Sequence, residues 1–184
     1  KYLKTLKNTK SVFLVTNGQE PEMLQRVIDE DALPTQLYLS TNASNKKMFM
    51  MVNRPRYRDA WNRWQESLEL LSEMNTRIVL RMTVIRNFND SRNYVDEFAD
   101  MMKIGNPHFI EIKSYMHIGM STQRLESSDM LEMDEIRNYS RLLCKSLDRF
   151  SIMDESEVSR IVVLQNLERF TERWIEGYDK PLIM

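Results

Sequence analysis

Two hydrophobic periods take turns along this chain. The run SVFLVT at 11–16 is apolar and β-rich and stops at Asn17-Gly18, a turn signal. Residues 20–32 then read as a helix, with Pro21 in its first turn and acidic residues near its start. After Pro34, QLYLS at 36–40 is the second strand, and 45–52 is a short helix that Arg54-Pro55 breaks. Residues 59–74 form the clearest helix, because Trp61, Trp64, Leu68 and Leu71 recur on one face. TRIVLRMTVI at 76–85 is the longest strand. A helix over 92–102 runs toward Gly105, with Pro107 beyond it, and FIEIK at 109–113 is a further strand. A long amphipathic helix is predicted over 130–150. An apolar strand, IVVL at 161–164, and a closing helix through Trp174 complete the pattern.

Strand and helix thus alternate, which predicts an α/β fold of right-handed βαβ units around a mostly parallel sheet. No fixed-period repeat and no low-complexity segment interrupts it. A complete eight-fold barrel needs about 250 residues. The 184 residues here therefore predict one domain, either an open doubly wound sheet or a partial barrel that lacks its first strands.

Composition narrows the chemistry. There are 26 Lys+Arg against 27 Asp+Glu, a formal charge of −1, so any nucleic-acid contact needs a local patch rather than bulk charge. A hydrophobic content of 42% with 29% charged residues describes a soluble globular domain. No apolar run approaches the roughly 20 residues of a membrane span, and no secretory leader is visible. The single cysteine, Cys144, excludes a disulfide framework and a self-contained thiolate cluster, and points to a reducing cytoplasm. The chain starts at Lys1, which reads as a fragment or a processed product.

In parallel α/β folds, active sites gather at the carboxyl ends of the strands. Here those ends are polar: Thr16-Asn17-Gly18-Gln19, Ser40-Thr41-Asn42, Arg86-Asn87 and Lys113-Ser114-Tyr115, with His117 close behind. The two-residue strand period puts Ile78, Leu80, Met82 and Val84 on one face, with Arg81 and Thr83 opposite. It likewise sets Ile110 and Ile112 against Glu111, Lys113 and Tyr115. If the apolar faces pack under helices, Tyr38, Ser40, Arg81, Thr83, Glu111 and Lys113 converge on one interior, where polar groups must be paired or bind something. A solvent-facing sheet surface is the competing reading. Residues 53–64 interleave four arginines with aromatics, as single-stranded RNA sites do. The tryptophans lie on the leucine stripe and read as core, which leaves Arg54 and Arg56 for phosphates. His108 and His117 lack metal-ligand spacing, Cys144 reads as an inert buried thiol, and residues 154–157 read as a solvated turn. There is no phosphate-cradling glycine loop and no nucleophile elbow.

Several segments are more specific in wording than in period. FLVTNGQEPEML, PTQLYLSTNAS, NRPRYRDAWNRWQESLELL, RIVLRMTVIRNFN, FIEIKSYMHIGMSTQRL and DESEVSRIVVL follow one another along the chain. In this order they resemble the radical-SAM 4-demethylwyosine synthases of tRNA wybutosine and wyosine biosynthesis. The combination of NRP…W…R…ESL with FIEIK-x-YMH-x-G carries the likeness. It implies a partial radical-SAM (β/α)6 TIM-like barrel, of which residues 1–184 would be the C-terminal two-thirds, strands three to six plus C-terminal helices. It further implies S-adenosylmethionine and a [4Fe-4S] cluster with its reductant, the cluster's cysteines lying upstream of Lys1, so that this chain by itself is inactive. The substrates implied are pyruvate and a phenylalanine tRNA carrying N1-methylguanosine beside the anticodon, condensed to 4-demethylwyosine.

Carried over by position, Thr16, Asn17, Ser40, Asn42, Arg81 and Thr83 are implied at the cofactor. Glu111, Lys113 and His117 are implied as catalytic residues, and Arg54, Arg56 and Arg86 face the RNA. No metal ligand is assigned within the chain. Asn42 stands where the family pattern has Asp, and Arg86-Asn87 where it has Lys-Gly. Two other functions stay open: a non-catalytic α/β module that holds a ligand or RNA, and a radical-SAM enzyme with a different substrate.

Overall fold

The computed structural model describes residues 1–175. A short helix α1 (Tyr2–Thr5) is followed by β1 (Phe13–Thr16), α2 (Pro21–Asp29), β2 (Gln36–Ser40), α3 (Lys46–Asn53), α4 (Ala60–Glu73) and β3 (Arg77–Val84). Then come α5 (Val95–Gly105), β4 (Phe109–Ser114), α6 (Met133–Ser146), β5 (Phe150–Ser156) and β6 (Ile161–Asn166). One sheet runs in the order β1-β2-β3-β4-β6-β5. Its first four strands are parallel; β6 joins β4 antiparallel and β5 joins β6 antiparallel.

Local chemistry sets the element ends. Pro21 occupies the first turn of α2, where its missing N–H is not needed. The Asn45 carboxamide accepts the Met48 N–H at 3.0 Å and so caps α3, which Arg54 ends in the left-handed conformation at φ 46°. Glu132 and Glu135 close a reciprocal capping box on α6.

All helices from α2 onward cover one face of the sheet. Leu37, Leu39, Ile78, Leu80, Met82, Ile110, Ile112, Val162 and Leu164 are fully buried there. They share one cluster with Leu68 and Leu71 of α4, Phe98 and Met102 of α5, and Ile136 and Leu143 of α6. Burying each such side chain stabilises the fold by about 1.5–3 kcal/mol. The opposite face carries Tyr38, Ser40, Arg81, Thr83, Glu111 and Lys113, all half-buried. Val79 and Phe109 are buried on that side, outside the helix-side cluster. As the strand period predicts, a polar face stands opposite a helix-covered apolar one.

Four expectations are corrected. The helix predicted over 130–150 stops at Ser146, because Phe150 opens β5, a strand the pattern did not reveal. Residues 154–156 belong to that strand, so the turn falls after them, where the Arg160 N–H reaches the Glu157 carbonyl at 3.1 Å. Those few intervening residues can only reverse the chain, whereas a parallel crossover needs a dozen or more; β6 is accordingly antiparallel. The closing helix through Trp174 does not form. Residues 167–175 are irregular and lie across the strand starts, where the Arg77 guanidinium donates to the carbonyls of Glu172 and Arg173. Tyr115 leaves the alternation where β4 ends and packs into the helix-side cluster.

Candidate functional site

Strand register arranges the uncovered face in rows. Ser40, Arg81 and Glu111 share one row across β2, β3 and β4. Thr83 and Lys113 form the next row toward the carboxyl ends. In the first row the Arg81 guanidinium lies 2.8 Å from the Glu111 carboxylate and 4.4 Å from the centroid of the Tyr38 ring. The Tyr38 hydroxyl accepts from the Gln36 amide at 2.6 Å, and Gln36 accepts from Arg77 at 2.8 Å. Burial, with the Glu111 charge added, raises the Tyr38 pKa and keeps this phenol neutral. Lys113 has no hydrogen-bond or ion-pair partner among the described residues. Below these groups a cavity of about 330 Å³ is lined by Phe13, Tyr38, Arg77, Phe109 and Glu111 and flanked by Trp174.

A second cavity, of about 590 Å³, opens at the carboxyl ends of β1 and β2 between Asn17, Gln19, Ser40, Asn42, Arg54 and Arg56. Its walls are fixed from behind. Gly18 turns the chain at φ 69°, and a Cβ there would lie 2.8 Å from Leu39 and 3.0 Å from Trp64, so only glycine fits. Trp64, buried and stacked on Trp61 at 5.4 Å, donates its indole N–H to the Ser40 carbonyl at 2.9 Å. The Asn42 side chain accepts the Thr83 N–H at 3.0 Å. Fully buried Asn89 bolts the same corner by donating to the Asn42 and Thr83 carbonyls at 2.9 and 2.8 Å. Arg54 and Arg56 are exposed on the rim, without an ion-pair partner among the described residues. Arg63 is not available in the same way: it is held by Glu22, Asp59 and the Gln19 carbonyl.

Two residues expected at the site lie elsewhere. Thr16 registers with Leu39 on the helix side, and its hydroxyl accepts the Gly18 N–H at 3.1 Å, so it shapes the turn rather than facing the cavity. Arg86 grips Glu135 with both guanidinium ends, at 2.5 and 2.7 Å, and donates to the Ser128 and Met130 carbonyls. It clamps the start of α6, and its hydrogen-bonding capacity is largely spent on protein. His117 sits beyond β4 with Nδ1 at 3.2 Å from the Tyr115 hydroxyl. His108 accepts the Ile78 N–H at 3.1 Å, and burial, with Arg169 and Arg77 nearby, pushes its pKa down to about 4. Gln19 stands among the polar strand ends in the sequence but receives no role there, and Asn89 is not singled out at all. Gln19 follows the turn signal directly, which was the available clue; a lone loop asparagine such as Asn89 offers none.

A mostly parallel sheet covered by helices on one face, with a polar cavity at its strand ends, defines an open α/β-barrel segment with a ligand site at the usual end. Comparison with known proteins specifies which. The wyosine base formation family model matches residues 104–166. The S-adenosyl-L-methionine-dependent tRNA 4-demethylwyosine synthase of Pyrococcus abyssi is 38% identical over 154 residues, 84% of this chain and 44% of that protein. Its counterpart in Methanocaldococcus jannaschii is 33% identical over 163 residues, 89% of this chain and 49% of that protein. Among solved structures, TYW1 with a lysine-pyruvate adduct bound superposes with a TM-score of 0.71 at 32% identity, over 85% of this chain and 47% of that one. The chain is thus related to the tRNA 4-demethylwyosine synthases over most of its own length. It spans about half the length of these two archaeal relatives, less than the expected two-thirds.

The residues present fit the two implied cofactors differently. The strand-end cavity suits the polar nucleoside of S-adenosylmethionine, since it combines Asn17, Ser40 and Asn42 with a buried Gln19 Oε1 that has no partner. An iron–sulfur cluster is not matched. Cys144 is the one cysteine, a half-buried helical thiol whose pKa burial pushes up, and no three His, Cys, Asp or Glu among the described residues are placed to hold a metal. No helix among the described residues is long and apolar enough to cross a membrane.

Proposed function

We propose that this chain is the cofactor- and substrate-binding part of a tRNA 4-demethylwyosine synthase of the radical-SAM class, working in the cytoplasm. The observation that carries the reading is the 38% identity over 84% of the chain, because it spans both the cavity and the polar rows. Asn17, Ser40 and Asn42 hold S-adenosylmethionine at the ends of β1 and β2, with Arg81 and Thr83 extending that surface over β3. Thr16 contributes through the turn it braces. Glu111, oriented by Arg81, and Lys113 face the condensation of pyruvate with N1-methylguanosine of phenylalanine tRNA. Lys113 supplies an uncommitted cation beside the pyruvate carboxylate. His117, held by Tyr115, is placed to carry a proton. Arg54 and Arg56 meet RNA phosphates at the rim. The [4Fe-4S] cluster and its reductant enter this reading through cysteines outside these 184 residues.

The test uses the complete gene product, prepared without oxygen and supplied with a one-electron reductant such as dithionite, together with S-adenosylmethionine, pyruvate and a tRNA bearing N1-methylguanosine. Nucleoside mass spectrometry should find 4-demethylwyosine only when all three are supplied. Lys113→Ala should abolish product while leaving S-adenosylmethionine binding and the circular dichroism spectrum unchanged. A wild-type protein that binds the RNA yet forms no product overturns the reading in favour of a non-catalytic binding module.

A further inference from the structure

Gln19 is nine-tenths buried, and three of its four polar groups are already committed to the protein. Its N–H donates to the Asn17 side chain at 3.2 Å, and its carbonyl accepts from Arg63 at 3.1 Å. Its side-chain Nε2 donates to the Ala60 carbonyl at 3.0 Å. That last bond fixes the amide, since the oxygen end cannot face another carbonyl. Oε1 is left buried and without a hydrogen-bond partner among the described residues, on a side chain that lines the strand-end cavity. A buried acceptor of this kind costs free energy until something donates to it. The fold maintains it with four neighbours: Asn17, Ala60, Arg63 and the glycine turn.

We propose that Gln19 is a specificity residue of this cavity, accepting through Oε1 a hydrogen bond from an N–H or O–H of the S-adenosylmethionine nucleoside. The inference rests on the cofactor placement proposed above. An unpaired acceptor on a cavity-lining side chain selects ligands that bring a donor within its reach and penalises those that do not, because the latter leave the oxygen unpaired. Asn17 sharpens the match. Its oxygen is used by the Gln19 N–H, which leaves its NH₂ as the donor that Asn17 offers on the same cavity wall. A purine amine with its adjoining ring nitrogen, or a ribose hydroxyl, presents the complementary pair.

The test is calorimetric titration of the complete gene product with S-adenosylmethionine and, separately, with tRNA. Gln19→Met, similar in volume, should weaken S-adenosylmethionine roughly tenfold and leave tRNA affinity unchanged. Because this variant also loses the bond to Ala60, the wild type is titrated in parallel with analogues stripped of one donor each: 2′-deoxy, 3′-deoxy and N6-dimethyl. One of them should lose the same factor on the wild type and nothing further on Gln19→Met. Equal affinity of wild type and variant for S-adenosylmethionine overturns the role of Gln19, as does a loss confined to tRNA. Absence of S-adenosylmethionine binding by the wild type overturns the cofactor placement itself.

Discussion

The two polar regions of this molecule differ in how far their polar groups satisfy one another. Over β3 and β4 the balance is nearly closed: Arg81 meets Glu111 and stacks on Tyr38, and Tyr38 meets Gln36, which meets Arg77. At the ends of β1 and β2 it stays open, with a buried Gln19 oxygen unpaired and two rim arginines uncommitted. Polar burial alone therefore does not mark a ligand site in this fold. What marks it is the remainder left after the protein's own pairings are counted. On the other side Arg81 Nε has the Glu111 charge at 2.8 Å though no aligned hydrogen bond, and Lys113 is the exception with neither among the described residues.

The difference can be broken from either end. The largest effect is expected from Trp64→Ala, which removes both the wall behind Gly18 and the donor to the Ser40 carbonyl. It should cost about 3–5 kcal/mol in urea unfolding and abolish ligand binding at the cavity with it. On the closed side, Arg81→Leu strands the Glu111 carboxylate and should cost about 2 kcal/mol; Arg81→Leu with Glu111→Leu should recover most of that, since the pair is partly exposed and its net worth small. A double variant no more stable than the single one would show that the row is not a self-satisfied unit.

Arginine exchanges sharpen the contrast further. Arg86→Ala should cost about 1–2 kcal/mol of stability, with tRNA affinity and its salt dependence unchanged. Arg54→Ala with Arg56→Ala should do the reverse, leaving the unfolding midpoint in place while the slope of log affinity against log salt falls by about 1–2. Filter binding at several salt concentrations separates the two outcomes. The smallest effect concerns His108. Its pKa is lower in the folded chain than its ordinary value, so the unfolded chain binds the extra proton. Stability is then full above about pH 6.5 and is lost as pH falls toward 4, by about 1 kcal/mol between pH 7 and 5 after allowing for solvent screening. His108→Asn should flatten that portion of the curve.

Much of this arrangement is legible in the sequence. Strict alternation in RIVLRMTV and FIEIKS fixes which residues face the helices, because a sheet with one covered face leaves the period no freedom. The paired tryptophans declare themselves core by spacing. What escapes is decided by contacts between distant residues. FSIMDES sets its two acids side by side and breaks the alternation that marks the other strands; it is held as a strand by pairing with β6. Arg86 and Arg54 look alike as letters. Only the fold brings Glu135 to the first and leaves the second on a rim.

The sheet's two borders are unlike. β5 is a charged edge, with a break in register between Ile152 and Asp154, and it leads into an antiparallel turn. Irregular, charged edges resist further pairing. β1 is short and uncharged, has a neighbour on one side only among the described residues, and shows Phe13 and Val15 about half exposed. The sheet thus has a finished side and an unfinished one. Extension, whether by another strand or by self-association at high concentration, is directed to the border nearest the strand-end cavity. Any element added there would become a new wall of the site, so completing the sheet and completing the pocket are one event.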